Sequence, residues 1–338
     1  MRPRNYYRHY RGRRTKGKVA MAVLLVLVIL AALVVIRMQQ HVVYDETGAP
    51  RLEVPWQEEP VQDEVHLDLD LVIQDPEKRI EEIRGVVLAP EQMTADGAAV
   101  MLSDADCNAV VIPLKDSTGA VWFETATAVA GSMATTAESS AVLKQLTEAC
   151  HVIGQLHCFD DSVAADADAE AMGLMNTGGF LFYDGANRRW LDPAKPAARQ
   201  YLCDLAVDAA RLGVDEILLT GFGYPTEGLL DKIAYGETAK NLNLLSLLEE
   251  LQTALEPYGT VLSLELSADV IAAGQEVASG LVLAEIAPQV DRICAAVLSE
   301  EVETMAARVN AAGETALFVP ILAEKDDAVS GSWLLRSQ

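Results

Sequence analysis

Short runs of branched apolar residues alternate with helical patterns along most of the chain. In the clearest unit, apolar positions recur every three or four residues over 196–212, and an apolar run follows at 214–219. The periodic segment predicts a helix with one face on a sheet, ended by Gly213, and the continuous run is typical of a buried parallel strand. The glycine-rich residues 220–223 come next. This unit therefore predicts a helix, a strand and a loop that opens at the strand's carboxyl end.

The same alternation predicts eight strands. Helical patterns are also clear over residues 242–255 and 300–311. Strands that alternate with helices form parallel sheets with crossover helices, and residues 84–338 make a segment close to the roughly 250 residues of a TIM barrel. We therefore predict an α/β fold, a (β/α)8 TIM-like barrel. The predicted strands cover residues 84–89, 108–114, 152–158, 214–219, 260–266, 292–298, 316–322 and 331–335.

An open doubly wound sheet is the alternative to the barrel. Such sheets usually bind a nucleotide through a glycine-rich motif that follows a strand. No G-x-G-x-x-G or G-K-[ST] motif follows a strand in this sequence. The usual nucleotide site of the open sheet is therefore absent, and we predict no cofactor.

The N-terminal segment has a different pattern. Residues 1–18 are basic and aromatic, and residues 19–36 form an unbroken apolar run. As a helix this run would span about 27 Å, close to the roughly 30 Å of a bilayer core. A cleaved signal peptide would have a shorter apolar region that ends in small residues. We therefore predict a transmembrane helix, a cytoplasmic basic tail and an extracytoplasmic remainder.

Residues 37–80 are rich in acids and proline and predict an acidic stalk. Within it, apolar and polar positions alternate over residues 64–73, which predicts an edge strand. His66, Asp68 and Asp70 share its polar face. A solvated edge strand is far commoner than a metal site in such a pattern, so we assign no metal.

The net charge indicates which partners the protein can bind, and the cysteine spacing indicates whether disulfides or a zinc site are expected. The net charge is −24, although the first 37 residues contain nine Lys or Arg and no acid. An acidic body of this kind repels phosphate backbones, which excludes nucleic acid as a partner. The five cysteines are dispersed without a CxxC spacing. Buried free thiols are therefore expected rather than a disulfide framework or a zinc site.

Three separated stretches resemble a bacterial family of glycoside hydrolase-like proteins with a barrel fold, which are often exported or membrane-anchored. Residues 107–119, C-N-A-V-V-I-P-L-K-D-S-T-G, resemble the family's N-A-V-V-I-D-V-K-D-x-x-G. Residues 190–193, W-L-D-P, are similar to its W-V-D-P, and residues 213–225 are similar to its G-F-D-E-I-Q-F-D-Y-V-R-F-P. The resemblance covers residue 84 to the end of the chain. It implies a carbohydrate-directed site at the mouth of a barrel.

The chain departs from the family pattern near the strand ends. Thr220 stands in place of a carboxylate and Gly223 in place of an arginine. Pro113 replaces an aspartate, Gln155 stands where the family tends to have arginine, and residues 298–299 replace Tyr-Pro. The resemblance therefore implies a retained scaffold and a degenerate active site, that is, a pseudoenzyme.

Glycoside hydrolysis usually needs two carboxyl groups on either side of the sugar. Glu265, near the end of the fifth strand and similar in position to a family aspartate, is the first catalytic candidate, and Asp116, after the second strand, is the next. Glu265 could instead face outward from an alternating strand, and Asp116 could simply form a turn. Asp160 and Asp161 could reach the same mouth, although adjacent acids in a loop more often face water.

Other polar and aromatic residues could have either structural or substrate-binding roles. His157 is expected to pack in the core, and Glu216, at the start of a strand, should stabilise the barrel bottom. Flat rings can stack on sugars, although packing is their default role. The substrate-binding candidates are Lys115, Trp122, Trp190, Thr220, Phe222 and Tyr224.

Two functions remain open from sequence. The first is a membrane-anchored extracytoplasmic barrel that acts on or binds envelope or extracellular polysaccharide. The second is a non-catalytic module that binds glycan or an envelope protein. Whether the protein is an enzyme depends on whether Glu265 and a second acid converge.

Overall fold

The computed structural model describes residues 82–94, 97 and 106–336, and the backbone of two short strands. These strands, Val42–Tyr44 and Pro50–Leu52, pair antiparallel within a compact unit at Met1–Leu69, and a second unit covers Asp70–Gln338. The predicted tail (1–18), transmembrane helix (19–36) and edge strand (64–73) lie outside the described residues. Within the part that is described, no helix is both long and apolar enough to cross a membrane.

Eight parallel strands form a closed barrel in the second unit. Each strand pairs in parallel with the next along the chain, and the last pairs with the first. All eight predicted strands are confirmed, and the open sheet is excluded because this closed ring has no edge strand. The strands are β1 (Arg84–Val87), β2 (Ala109–Lys115), β3 (His151–His157), β4 (Glu216–Thr220), β5 (Val261–Glu265), β6 (Arg292–Ala296), β7 (Leu317–Leu322) and β8 (Trp333–Arg336).

Helices connect the strands on the outside of the barrel. The helical patterns at 196–212, 242–255 and 300–311 are confirmed by helices that begin and end within two residues of those limits. Residues 323–332, which join β7 to β8, contain no helix. The described α-helices are α1 (Ala137–Ala149), α2 (Ser162–Ala167), α3 (Pro196–Arg211), α4 (Lys240–Leu255), α5 (Ala268–Ala273), α6 (Leu283–Ile286) and α7 (Val302–Ala312).

The alternation of side chains along the strands divides the core into two layers. Val111, Ile153 and Leu218 belong to a cluster inside the barrel, whereas their neighbours Val110 and Val152 belong to a larger cluster that packs against the helices. Residues two or four positions further along a strand share the same face. The inner face of β3 therefore continues from Ile153 towards the barrel mouth.

A buried polar group lies at the amino end of the barrel. Glu216 at the start of β4 accepts hydrogen bonds from His151 Nε2 at 3.0 Å and Arg292 Nη1 at 2.7 Å, and also from the Ser263 hydroxyl. All four residues are buried and come from four different strands. Glu216 therefore ties neighbouring strands together at the end opposite the expected site.

Candidate functional site

A cavity of about 480 Å³ opens at the carboxyl ends of β3, β4, β5, β6 and β8. Enzymes with this fold place their active sites at this face. Two positions where the chain departs from the family pattern, Gln155 and Thr220, are in its wall. The lining residues are Gln155, His157, Thr220, Gly221, Glu265, Leu266, Ser267, Ala268, Ala296 and Arg336.

Glu265 faces this cavity from the end of β5. Its side chain is 24% exposed, and Oε1 lies 3.9 Å from Nη2 of Arg336 on β8. Burial raises the pKa of Glu265 above its ordinary value, although Arg336 acts in the opposite direction. A carboxyl group that holds its proton more firmly is suited to donate one as a general acid.

The described part of the cavity wall contains a single carboxylate. Among the described residues that line the cavity, Glu265 is the only Asp or Glu. Thr220, which lines the same cavity, offers a neutral hydroxyl. The wall therefore supplies one of the two carboxyl groups that glycoside hydrolysis usually needs.

His157 and Thr220 form a pair in the cavity wall. They are paired in register on β3 and β4, and His157 Nδ1 lies 3.1 Å from Thr220 Oγ1. Burial, together with the nearby charge of Lys115, lowers the pKa of His157 to about 4. The ring is therefore neutral at neutral pH. The expectation that His157 only packs in the core missed its place on the inner face, which its spacing from Ile153 would have indicated.

Lys115 does not line the cavity. Its ammonium is fully buried 2.8 Å from Asp161 Oδ2, and Asp161 Oδ1 accepts a hydrogen bond from the backbone N–H of Ala164 at the start of α2. Asp161 is itself fully buried, so the expectation that it faces water is wrong. The pair joins the end of β2 to the loop that follows β3.

Asp160 is also buried rather than solvated. Its carboxylate pairs with Arg188, which in turn pairs with Asp184 at 2.8 Å. Burial raises the pKa of Asp160 to about 6, although Arg188 opposes the shift. Asp160 Oδ2 lies 4.0 Å from His157 Nε2, so this carboxylate is close to the ring nitrogen that does not contact Thr220.

Asp116 forms a turn. Its carboxylate accepts hydrogen bonds from the backbone and side chain of Thr118, from the backbone of Ala120 and from Trp122 Nε1. Burial alone would raise the pKa of Asp116, but these hydrogen bonds together hold it below its ordinary value. Asp116 is therefore an ionised acceptor with its hydrogen-bonding sites occupied, and it lies outside the cavity wall.

Replacing Asp116 with Ala is expected to destabilise the protein by about 1–3 kcal/mol, because four donors lose a charged acceptor. Urea unfolding of the full chain would measure the change. Glu124→Ala, which removes a nearby exposed acid, is the matched control and should stay within about 0.5 kcal/mol of the wild type. An equal effect of the two substitutions would contradict the role of Asp116 in the turn.

The aromatic candidates make packing contacts. Trp190 Nε1 donates to Asp184 Oδ2 at 3.2 Å, and Phe222 packs against Phe159 with ring centroids 5.8 Å apart. The Tyr224 hydroxyl accepts from Asn243 Nδ2 at 2.9 Å. With Trp122 bound to Asp116, none of the four predicted rings lies in the cavity wall. The structure thus brings together only Glu265 and Thr220 from the sequence candidates.

The described residues also show whether the geometry of a metal site or a disulfide is present. Within residues 82–94 and 106–336, no three His, Cys, Asp or Glu side chains come together to hold a metal ion. The five cysteines all lie in this part of the chain and are free thiols, three of them buried and two half-buried.

Comparison with known proteins gives a family and a fold. The family model described as "putative glycosyl hydrolase domain" matches residues 87–301, more than half of the chain. The PgaB (BpsB) glycoside hydrolase domain from Bordetella bronchiseptica has a TM-score of 0.52 and 15% identity, over 72% of this chain and 84% of that one. A hypothetical protein from Ruminiclostridium thermocellum ATCC 27405 has a TM-score of 0.47 and 24% identity, over 53% and 96%. No curated protein matches. At these identities, the PgaB similarity supports the fold alone.

Proposed function

The chain belongs to the family described as "putative glycosyl hydrolase domain", and from this membership we propose that its barrel binds polysaccharide at the carboxyl-end cavity without hydrolysing it. One observation carries the proposal. Among the described residues of the cavity wall, Glu265 is the only carboxylic acid, and Thr220 occupies the position of the family's strand-end carboxylate.

The chemistry of the wall favours binding over turnover. Glu265 can hold a proton, but a positively charged sugar centre would also need a carboxylate to stabilise or attack it. Thr220 is neutral, and His157 is a weak base because burial and Lys115 lower its pKa to about 4. The cavity volume of about 480 Å³ falls within the roughly 300–1,000 Å³ typical of small-molecule sites. Room for a sugar unit is therefore present.

The location of this activity is part of the proposal. We propose that residues 19–36 anchor the chain in the membrane and that the barrel lies on the extracytoplasmic side. The unbroken apolar run and the basic residues before it support this placement. The expected ligand is then a polysaccharide of the envelope or of the extracellular matrix.

A glycan panel tests the proposal. Full-length protein should bind at least one polysaccharide fragment saturably and release no new reducing ends. Glu265→Gln should weaken this binding about tenfold, since among the described residues of the wall it removes the one charged group that can accept hydrogen bonds from sugar hydroxyls. Glu300→Gln, which changes an exposed acid, is the matched control and should bind as the wild type does.

The competing function is hydrolysis, and the raised pKa of Glu265 favours it, since burial gives this carboxyl the character of a general acid. Reducing ends that appear with wild type and vanish with Glu265→Gln would establish hydrolysis and overturn binding without turnover. Absence of binding to every glycan would count against a carbohydrate ligand.

A further inference from the structure

The imidazole of His157 is held in one orientation. Its Nδ1 lies 3.1 Å from Thr220 Oγ1, and the backbone of Gly221 lies against the other edge of the ring. A Cβ atom at Gly221 would stand 2.3 Å from His157 Cε1 and 2.4 Å from Nε2, and Gly221 has a φ of +56°. The glycine therefore permits a close approach that fixes the ring beside Thr220.

The surroundings of Nε2 select one tautomer. This nitrogen is buried without a hydrogen-bond partner among the described residues, and it lies 4.0 Å from the carboxylate of Asp160. A proton on Nε2 would point towards that negative charge, whereas a lone pair there would face it unfavourably. With the proton on Nε2, Nδ1 must accept a hydrogen bond. The Thr220 hydroxyl then donates to Nδ1 and presents only oxygen lone pairs to the cavity.

Glu265 supplies a second acceptor to the same cavity. Its only ion pair among the described residues is the 3.9 Å contact with Arg336, whose side chain is 60% exposed. Because Arg336 is largely hydrated and its contact with Glu265 is long, a ligand cation can compete with it for this partly buried carboxylate. A group with a positive charge and several N–H donors satisfies both Glu265 and Thr220.

The net negative charge of the chain also favours a positively charged ligand. A net charge of −24 attracts cationic polymers and repels polymers that carry carboxylate or phosphate groups. The polysaccharide group that combines positive charge with N–H donors is a free amino group. A hydroxyl offers a single donor and no charge.

We infer that the cavity selects polysaccharide units with a free amino group, that Glu265 is their counter-charge, and that His157 is the positioning residue that fixes Thr220 as an acceptor. The inference rests on the proposed function and specifies its ligand class. His157 is in the cavity wall, and the role assigned to it here is exerted through the Thr220 hydroxyl.

Binding of two matched probes tests the inference. The full chain is titrated with glucosamine hexasaccharide and with N-acetylglucosamine hexasaccharide at neutral pH, above the pKa of about 6 of Asp160, so that the carboxylate facing Nε2 is ionised while part of the amino groups is still protonated. Wild type should bind the first at least about tenfold more tightly, a difference of about 1.4 kcal/mol. His157→Phe keeps a ring but frees the Thr220 hydroxyl to donate, and Thr220→Val removes the acceptor. Both should reduce the preference to below about threefold.

Two further measurements distinguish an effect of His157 on the orientation of the Thr220 hydroxyl from a general disruption of the fold. The ¹⁵N spectrum of His157 in the wild type should show the proton on Nε2. Arg336→Gln should strengthen binding of the glucosamine probe, because it removes a competing cation. If His157→Phe fails to fold, Thr220→Val carries the same binding test.

Distinct results would overturn the inference. Equal or tighter binding of the N-acetylated probe, a proton on Nδ1, or weaker glucosamine binding by Arg336→Gln would each contradict it. If neither probe binds but another glycan does, the amino-sugar preference is wrong and the proposed function stands. If no glycan binds, the proposed function fails together with the ligand class.

Discussion

Replacing Lys115 with Met is expected to destabilise the barrel by about 3–5 kcal/mol, because it leaves the carboxylate of Asp161 buried without its cation. Both side chains are fully buried, and their charged atoms are 2.8 Å apart. Neither group can recover its hydration unless the loop after β3 opens. Methionine fills much of the lysine volume, so the loss measures charge rather than a cavity. Urea unfolding of wild type and variant would give the difference.

A double-mutant cycle isolates the pair. Asp161→Asn removes the charge but keeps the side-chain oxygen that accepts from the backbone of Ala164. Each single substitution should be severe, whereas the double substitution Lys115→Met with Asp161→Asn should recover at least half of the combined loss. Losses that simply add would show that the two groups do not stabilise each other.

Replacing Glu216 with Gln is expected to cost a similar amount, about 3–5 kcal/mol. Its buried carboxylate holds His151 and Arg292 from two other strands, at 3.0 Å and 2.7 Å. The amide keeps the shape but loses the charge and one acceptor atom. Glu148→Gln, an exposed acid near the same end of the barrel, is the matched control and should change stability by less than about 0.5 kcal/mol.

The same group predicts a pH dependence. Burial acts to raise the pKa of Glu216, but the hydrogen bond from His151 and the charge of Arg292 outweigh it and hold this pKa below the ordinary 4.5. A lowered folded-state pKa means that the unfolded chain binds the proton more readily. The contribution is therefore complete above the ordinary value and is lost as the pH falls towards the folded-state pKa.

Acid unfolding checks this sign. The stability difference between wild type and Glu216→Gln should be constant near neutral pH and should shrink below about pH 4.5, where Glu216 takes up a proton in the unfolded chain while it is still ionised in the folded protein. A difference that grows in acid would contradict the prediction.

The structure also explains which parts of the family pattern this chain keeps. Lys115 and Asp116 match the family motif, and both have structural contacts: one is an ion pair with Asp161, the other a turn. Thr220 and Gln155, which depart from the pattern, line the cavity. Lys115 and Asp116 thus make structural contacts, and two of the changed positions face the cavity, whereas Pro113, Gly223 and residues 298–299 are not in its wall.

The sequence alone determined the eight strands and their alternation with helices, and the length of the segment favoured a barrel over an open sheet. Each strand is a short apolar run that neighbouring helices bury, and hydrophobic periodicity is a local property that needs no partner to be recognised. The exclusion of an open sheet's nucleotide site also followed from local motifs. Glu265 and Thr220 could be placed at the barrel mouth because each lies at the end of such a run.

Only the tertiary structure decided what the polar side chains do. Sequence could not show that Lys115 reaches a buried aspartate 46 positions away, or that Asp116 is occupied by Trp122. Nor could it show that His157 faces Thr220 across two paired strands. Burial and ion pairing depend on which groups a closed ring brings together, and that closure joins residues far apart in the chain. The charge state and accessibility of a side chain follow from those neighbours rather than from its own position in the sequence.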